Sequence, residues 1–317
     1  MIAPAGVAEN TGVELSVVVP AFNEEQGIAA FLDLLFGSLR ACCARFEVWV
    51  IDDGSRDGTW QRLGAERGRY PELRGLRFTR NFGKEAAILA GLRCATGRAV
   101  VVMDADGQHP PSLLPQLLEP WRAGRAQLVA AQKAARTSDS LVTRANARFF
   151  NGMMRALTGL DLTAASDYRL LDRRVVDALL AFPEKVRFFR GMTVWTGFAS
   201  ECVSFDVAPR IAGVSHWSGA QLAKLALTAI SAYSAKPLGM ILRLGFIGMA
   251  AAAVLLLQAM YSWFAGIAVS GWTSLTVVVL FFGSANLLAL GVLGVYLAQL
   301  FDEIKARPEY LIGDELR

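Results

Sequence analysis

Short apolar runs alternate with segments of helical spacing along residues 15–131. Runs rich in β-branched residues predict five strands, at 15–20, 46–51, 76–79, 99–103 and 128–131. Between them, apolar residues at helical spacing predict helices over 24–40, 57–68, 85–95 and about 112–123. Apolar strands separated by helices predict an α/β fold, a Rossmann-like and mostly parallel sheet with flanking helices. Ligands should then lie beyond the carboxyl ends of the strands.

The carboxyl-terminal part of the chain is strongly apolar. Residues 244–301, a stretch of 58, contain no Asp, Glu, Lys or Arg. A bilayer core is crossed by about 20 helical residues, so we expect two transmembrane helices, at about 242–267 and 274–300. The alternative, a hairpin buried in a large soluble core, is disfavoured by the length of the stretch. Residues 217–238 carry a helical apolar stripe with few charges, which predicts an interfacial helix or, alternatively, a packing helix.

Basic residues flank this apolar hairpin on both sides. Lys224, Lys236 and Arg243 precede it, and Lys305 and Arg307 follow it. Because positively charged flanks stay inside, both termini are expected in the cytoplasm. The first residues contain no recognisable signal peptide, which agrees with a cytoplasmic location for the large domain.

Charge is unevenly distributed along the rest of the chain. The net charge is +4, from 32 Lys and Arg against 28 Asp and Glu. Residues 122–190 hold 13 basic and 6 acidic residues, which indicates a phosphate-bearing partner or an anionic lipid surface. Nucleic acid is not expected as a partner, because no recognition motif accompanies the charge. With two histidines in the chain, a histidine-rich metal site is excluded.

Polar residues collect where three predicted strands end, at 20–24, 52–55 and 104–110. No G-x-G-x-x-G follows the first strand, and no G-x-x-x-x-G-K-[ST] occurs in the chain. A dinucleotide oxidoreductase or a P-loop NTPase would therefore lack its defining loop.

The carboxylates at these strand ends suggest metal and nucleotide binding. Asp104 and Asp106 alternate at one strand end and offer oxygen ligands for Mg²⁺ or Mn²⁺, to which Gln108 can add an amide oxygen. The alternative for such a pair is capping of the next turn. Asp53, at another strand end, is an acceptor suited to a nucleobase N–H or a ribose hydroxyl.

Several motifs together resemble one enzyme family. They are PAFNE at 20–24, DDGSRDGT at 52–59, RNFGKEAA at 80–87, DADGQHPP at 104–111, SDYRLLDR at 166–173, FFRG at 188–191 and R-x-x-G-x-S at 210–215. With them the chain resembles the family 2 glycosyltransferases of GT-A fold, and among these the polyprenyl-phosphate glycosyltransferases. The resemblance is closest to bactoprenol glucosyltransferases, with dolichol-phosphate mannose synthases and the undecaprenyl-phosphate aminoarabinose transferase as related enzymes.

The resemblance implies roles for the matching residues. Donor binding would involve Pro20, Asn23, Glu24, Asp53, Lys84, Asp104, Ala105, Asp106 and Gln108. Metal binding, of Mg²⁺ or Mn²⁺, would involve Asp104, Asp106 and Gln108. The catalytic set would be Asp167, Asp106 and Arg210, with Ser166 replacing the usual Gly before Asp167. The acceptor phosphate would be held by Lys133, Arg136, Arg144, Arg210 and Ser215.

The implied reaction is metal-dependent, inverting transfer of a hexose from a nucleotide sugar to a polyprenyl phosphate such as undecaprenyl phosphate. UDP-glucose is the favoured donor, and UDP-aminoarabinose, UDP-N-acetylglucosamine, UDP-galactose and GDP-mannose stay open. The location would be the cytoplasmic face of the bacterial inner membrane, with membrane lipid as a partner. A homo-oligomer, dimer or tetramer, is also implied, and a lipid flippase is a possible further partner.

The implied organisation has four parts. They are a cytoplasmic GT-A domain over 1–216, an interfacial amphipathic helix over 217–238, a two-helix transmembrane hairpin over 239–301 and a cytoplasmic tail over 302–317. A processive polysaccharide synthase is a rival interpretation, but it would carry Q-x-x-R-W and more membrane helices. A non-catalytic membrane scaffold is another, and the intact set of Asp53, Asp104, Asp106 and Asp167 argues against it.

Overall fold

A computed structural model describes residues 12–133, 166–184, 187–205, 271–305 and 307–316, together with Gly152 and scattered positions between 239 and 266. The chain divides into two compact units. The first comprises Met1–Arg155, Gly159–Gly219 and Arg307–Arg317, and the second comprises Ala156–Thr158 and Ala220–Ala306.

In the described part of the first unit, eight strands form one sheet. They are β1 (Leu15–Ala21), β2 (Phe46–Asp52), β3 (Leu73–Phe78), β4 (Ala99–Val102), β5 (Leu128–Lys133), β6 (Arg169–Asp172), β7 (Ser200–Phe205) and β8 (Ile312–Leu316). Their order across the sheet is β7-β5-β6-β4-β1-β2-β3-β8. The central strands β4, β1, β2 and β3 are parallel, whereas β6 and β8 run antiparallel to their neighbours.

Helices connect and cover these strands. The described helices of the first unit are α1 (Ile28–Cys42), α2 (Thr59–Arg67), α3 (Lys84–Cys94), α4 (Leu114–Arg122), α5 (Arg173–Ala181) and α6 (Phe189–Trp195). A short 3₁₀ turn, Pro111–Leu113, precedes α4. The connections β1-α1-β2-α2-β3-α3-β4 follow the alternation that gives parallel strands with helices across both faces.

The central strands are buried on both faces. Every residue of β2 is buried, and α1 covers one face with Phe31 and Leu35. On the other face, α3 contributes Ala87 to a cluster with strand side chains. Helix α3 approaches β1 so closely that a Cβ added at Gly91 would lie 2.2 Å from a methyl carbon of Val18. Any larger residue at that position must therefore displace the Val18 side chain.

The strands and helices predicted from the apolar pattern are present, and so is the mostly parallel α/β sheet. The predicted strand at 76–79 begins earlier, at Leu73. The predicted helix at 24–40 begins later, at Ile28, because residues 25–27 form a turn in which the Gly27 N–H donates to the Glu24 carbonyl. Strands β6, β7 and β8 are absent from the prediction.

The end of the chain belongs to the first unit. Strand β8 pairs antiparallel with β3, and the Tyr310 ring stacks on Phe78 with centroids 4.9 Å apart. Glu309 accepts ion pairs from Arg93 at 2.8 Å and from Arg187 at 3.1 Å. Residues 309–316 are thus fastened to the sheet and to the segment before α6.

In the second unit, helix α7 (Trp272–Ile304) is 33 residues long. Its apolar side chains are largely exposed, and Phe281–Ala298 is long and apolar enough to cross a membrane. It is the one such span among the described residues. The predicted helix at 274–300 is therefore present and longer than predicted. The described positions from 239 to 264 are also helical, whereas the predicted interfacial helix at 217–238 lies outside the described residues.

Candidate active site

Three strands of the parallel core end at one edge of the sheet. Ala21 of β1 is level with Asp52 of β2, and Val18 of β1 is level with Val102 of β4. Pro20 is the penultimate residue of β1. The polar segments predicted to follow these strands therefore emerge side by side, where ligands of such sheets bind.

The loop after β1 is fastened to the loop after β2. The Asn23 N–H donates to Ser55 Oγ at 2.9 Å, and Asn23 Oδ1 accepts the Arg56 N–H at 2.9 Å. Asn23 adopts a positive φ of 56°, which asparagine tolerates better than most residues. The Glu24 N–H donates to Thr59 Oγ1 at 2.9 Å. Two predicted donor-binding residues thus fix the edge of the site.

Asp53 is buried and anchors the loop between β3 and α3. Its Oδ1 accepts the Phe82 N–H at 2.7 Å, and its Oδ2 accepts the Gly83 N–H at 2.9 Å. Burial raises the pKa of Asp53, and these two hydrogen bonds offset part of the rise. Each carboxylate oxygen has two lone pairs, so Asp53 can hold the loop and still accept a ligand hydrogen bond. Gly54 beside it is at φ 68°, and a Cβ there would lie 2.4 Å from the Arg80 carbonyl carbon.

Four charged side chains from distant parts of the sequence meet at this edge. Lys84 Nζ, at the start of α3, lies 2.5 Å from Asp104 Oδ1 and 2.6 Å from Asp167 Oδ2. Arg190 of α6 donates two hydrogen bonds to Asp167, from Nε to Oδ1 at 2.6 Å and from Nη2 to Oδ2 at 2.9 Å. We call Lys84, Asp104, Asp167 and Arg190 the four-charge cluster.

The contacts within the four-charge cluster favour the charged forms of Asp167 and Lys84. Burial alone would raise the pKa of Asp167, but Arg190 and Lys84 outweigh it and hold that pKa well below the usual range. Burial would lower the pKa of Lys84, and Asp104 and Asp167 outweigh that effect and raise it. Asp167 is therefore an ionised carboxylate with both oxygens bound to cations. Such a group is a poor proton acceptor, which favours a positioning role.

The segment after β4 carries the predicted metal ligands. The Asp104 N–H donates to His109 Nδ1 at 3.1 Å, and burial lowers the pKa of His109, so this imidazole is neutral. Asp106 Oδ1 accepts the Gln108 N–H at 3.0 Å, and Ala105 between the two aspartates is buried. These contacts fold the segment into a tight turn that keeps Asp104 and Asp106 beside the site.

The residues present fit a divalent metal that shares its coordination with substrate. In the described ranges, no group of three or more His, Cys, Asp or Glu side chains converges as a metal site. Asp104 nevertheless already accepts a cation, the Lys84 ammonium, at 2.5 Å. Magnesium is commonly bound by one or two carboxylates together with water and substrate phosphates. Asp104 and Asp106 can provide that smaller set of protein ligands.

Two residues at this site are not predicted by the sequence patterns. Arg190 belongs to the FFRG motif at 188–191, which contributes to the family resemblance but does not by itself indicate a role for the arginine. Glu85 follows Lys84, and its Oε2 accepts the Phe189 N–H at 2.8 Å, which fixes the start of α6. Burial raises the pKa of Glu85 to about 7. No pattern in the sequence indicates the Glu85 contact, because it joins segments far apart in the chain.

The predicted acceptor-binding residues remain predictions. Lys133 is the last residue of β5, and its side chain is outside what the structure describes. The other members of the set, Arg136, Arg144, Arg210 and Ser215, lie outside the described residues. Arg210 is also the one member of the predicted catalytic set that is not described.

The fold and the charged edge of the sheet place the chain among α/β enzymes that bind ligands at the strand ends. Residues 16–180 match the family described as glycosyl transferase family 2. Since this match spans more than half of the chain, the protein belongs to that family and is a glycosyltransferase. The family predicted from the motifs is thereby confirmed.

Several relatives are similar over almost their whole length. The chain is 35% identical over 307 residues to an uncharacterised glycosyltransferase of Synechocystis sp., covering 95% of each chain. It is 35% identical over 310 residues to the bactoprenol glucosyl transferase of Shigella phage SfV, covering 96% of this chain and 99% of that one. Among solved structures, glucosyl-3-phosphoglycerate synthase from Mycobacterium tuberculosis is 24% identical with a TM-score of 0.49, covering 70% and 80%.

Proposed function

We propose that the protein transfers a hexose, with UDP-glucose as the favoured donor, to a polyprenyl phosphate such as undecaprenyl phosphate. The observation that carries this proposal is the four-charge cluster at the carboxyl edge of the sheet in a family 2 glycosyltransferase. The near full-length similarity to a protein named bactoprenol glucosyl transferase supports the choice of sugar and acceptor. Transfer would occur by single displacement with inversion at the sugar carbon.

The donor would lie across the strand ends. Asp53 would accept a hydrogen bond from the base or ribose, as its free lone pairs allow. Asp104, Asp106 and Gln108 would hold Mg²⁺ or Mn²⁺, which supplies positive charge to the diphosphate leaving group when it is bound. Lys84, a cation 2.5 Å from Asp104, would contact the same diphosphate.

The acceptor needs little help from a base. A phosphate monoester has a second pKa of about 6 and is mostly ionised at pH 7. Asp167, already bound by Arg190 and Lys84, would therefore orient groups around the sugar rather than take a proton. Arg210 would contact phosphate oxygens, and the acceptor phosphate would also meet Lys133, Arg136, Arg144 and Ser215, where arginine can bind in a bidentate way.

A membrane location follows from the acceptor, because a polyprenyl chain stays in the bilayer. We propose a multi-pass protein of the bacterial inner membrane, with α7 as one span and a second helix at about 242–267. Both termini would be cytoplasmic, and the helix at 217–238 would lie in the headgroup layer. A homo-oligomer and a flippase partner remain further predictions of this proposal.

The test uses the full chain purified in detergent, undecaprenyl phosphate, Mg²⁺ or Mn²⁺, and radiolabelled UDP-glucose. Formation of a labelled glycolipid is expected, and a chelator should abolish it. Asp104→Asn should lower turnover by about 100-fold or more, because it removes a charged metal ligand and so weakens binding of the ion that would supply positive charge to the diphosphate. Asp177→Asn is the matched control, since Asp177 is an exposed carboxylate of α5, and it should keep full activity.

A donor panel distinguishes the proposal from its alternatives. Parallel reactions with UDP-aminoarabinose, UDP-N-acetylglucosamine, UDP-galactose and GDP-mannose would identify another sugar if glucose is wrong. A glycolipid that forms equally well with chelator present would refute the metal dependence. Failure to form any glycolipid across the panel would refute the proposed transfer to a polyprenyl phosphate.

A further inference from the structure

An ammonium group lies where the predicted metal would bind. Lys84 Nζ is 2.5 Å from Asp104 Oδ1, on the carboxylate that the proposed function assigns to the divalent ion. The same nitrogen is 2.6 Å from Asp167 Oδ2. A role for this contact in metal binding rests on the proposed function, because that function supplies the metal and the nucleotide.

We propose that Lys84 is a stand-in cation that a divalent metal displaces from Asp104 while Asp167 keeps hold of it. A divalent ion and an ammonium group repel each other strongly at ligand distances. Metal binding to Asp104 therefore requires Lys84 Nζ to leave that carboxylate. Asp167 remains as a partner, so the ammonium group is never left without a counter-ion.

Lys84 is well placed for this exchange. Its side chain is 40% exposed, and its flexible four-carbon stem lets the ammonium group swing without movement of α3. Asp167 does not depend on Lys84 for its position, because Arg190 holds both of its oxygens. The backbone N–H of Gly83, the residue before Lys84, donates to Asp53. The predicted nucleoside-binding residue therefore holds the loop that leads directly into Lys84.

The exchange would couple metal binding to donor binding. A metal that arrives alone must break the ion pair between Lys84 and Asp104, which weakens its binding. A nucleoside diphosphate offers the displaced ammonium group new anionic oxygens, which lowers the free energy of the exchanged state. Metal and nucleotide should therefore raise each other's affinity by the same factor.

The experiment measures binding of Mn²⁺ alone to the full chain in detergent, from the electron paramagnetic resonance signal of free Mn²⁺. Lys84→Met and Lys84→Gln should bind Mn²⁺ about tenfold more tightly than the wild type, because the competing charged contact is gone. Lys84→Arg keeps a cation and should stay within about threefold of the wild type. Saturating UDP should tighten Mn²⁺ binding to the wild type more than to Lys84→Met.

Arg190→Met is the matched control for charge acting at a distance. It removes one positive charge from the same cluster, but its described bonds go to Asp167 and not to Asp104. Its effect on Mn²⁺ affinity should be clearly smaller than that of Lys84→Met. Circular dichroism of each variant, compared with the wild type, identifies any variant that has not folded. If Lys84→Met does not fold, Lys84→Gln, which retains a polar side chain, takes its place in the comparison.

The outcomes separate this inference from the proposed function. Equal Mn²⁺ affinity of the wild type and both neutral Lys84 variants would overturn the stand-in role and leave the glycosyltransferase proposal intact. An equal gain from Arg190→Met would overturn the role of direct contact. If no variant binds Mn²⁺ even with UDP, the metal dependence of the proposed function and the stand-in role are both refuted.

Discussion

Replacing Arg190 tests whether the four-charge cluster organises the active site. The Arg190 guanidinium holds both oxygens of Asp167 in a planar fork, whereas Lys84 contacts one of them. Arg190→Met removes the fork and the charge. Arg190→Lys keeps the charge and loses the fork, since an ammonium group acts as a point charge. Turnover should therefore be highest for the wild type, lower for Arg190→Lys and lowest for Arg190→Met.

The size of the effect follows from the contacts. A hydrogen bond to a charged group contributes about 1.5–3 kcal/mol, so the two bonds from Arg190 could contribute about 3–6 kcal/mol. The Arg190 side chain is 37% exposed, and Lys84 stays on Asp167, so solvent screening and the remaining ion pair reduce this to about 2–3 kcal/mol. At about 2–4 °C per kcal/mol for a domain of this size, Tm should drop by roughly 4–12 °C. Turnover should fall by about 10–100-fold, because Asp167 loses its fixed orientation.

The assays are thermal unfolding in detergent and steady-state transfer to undecaprenyl phosphate. Arg174→Met, at an exposed position of α5, is the matched control and should leave both Tm and turnover unchanged. A double-mutant cycle with Asp167→Asn isolates the contact and should give a coupling energy of about 2 kcal/mol. Arg190→Met with wild-type turnover and additive effects in the cycle would refute the proposed role of the fork.

Three further results are expected. Burial raises the pKa of Glu85 from 4.5 to about 7. Between pH 4.5 and about 7, the folded protein therefore binds a proton that the unfolded chain has lost. Stability should therefore fall by about 3 kcal/mol as pH rises through that range, and Glu85→Gln should remove this part of the pH dependence in unfolding measurements. Gly91→Ala should lower the free energy of unfolding by about 1–3 kcal/mol through its clash with Val18, whereas Gly64→Ala, in open space on α2, should be neutral or stabilising. Asp53→Asn should raise KM for the donor about tenfold with a smaller change in kcat, since its carboxylate holds the loop before α3.

The parallel core was predictable because its signals are local. Buried parallel strands appear as continuous apolar runs, and the polar residues that follow them mark the carboxyl edge of the sheet. That is why Asp53 and Asp104 could be placed at one edge without a structure. The long helix α7 was predictable for the same reason, since 33 residues of mostly apolar sequence leave few alternatives.

The rest depends on partners that are remote in sequence. Strand β8 is short and contains Asp314 and Glu315, so its sequence does not alternate apolar and polar residues. Its pairing with β3 arises because the last residues of the chain return to the edge of the sheet. The bond between Arg190 and Asp167 depends on where α6 begins, which Glu85 fixes through the Phe189 N–H. The motifs contain these residues but do not specify which of them touch.

The charge balance of the site connects these observations. The two carboxylates and two cations of the four-charge cluster sum to zero before any ligand binds. A divalent metal carries two positive charges, and the two phosphates of a nucleotide sugar carry one negative charge each, so the pair enters without changing that balance. Either ligand alone would leave an excess charge beside the half-buried cluster, which is costly where water is scarce. An acceptor phosphate that is already ionised would add negative charge when it binds after the metal and the donor. Arg210 and the basic segment at 122–190 would be needed to offset that charge.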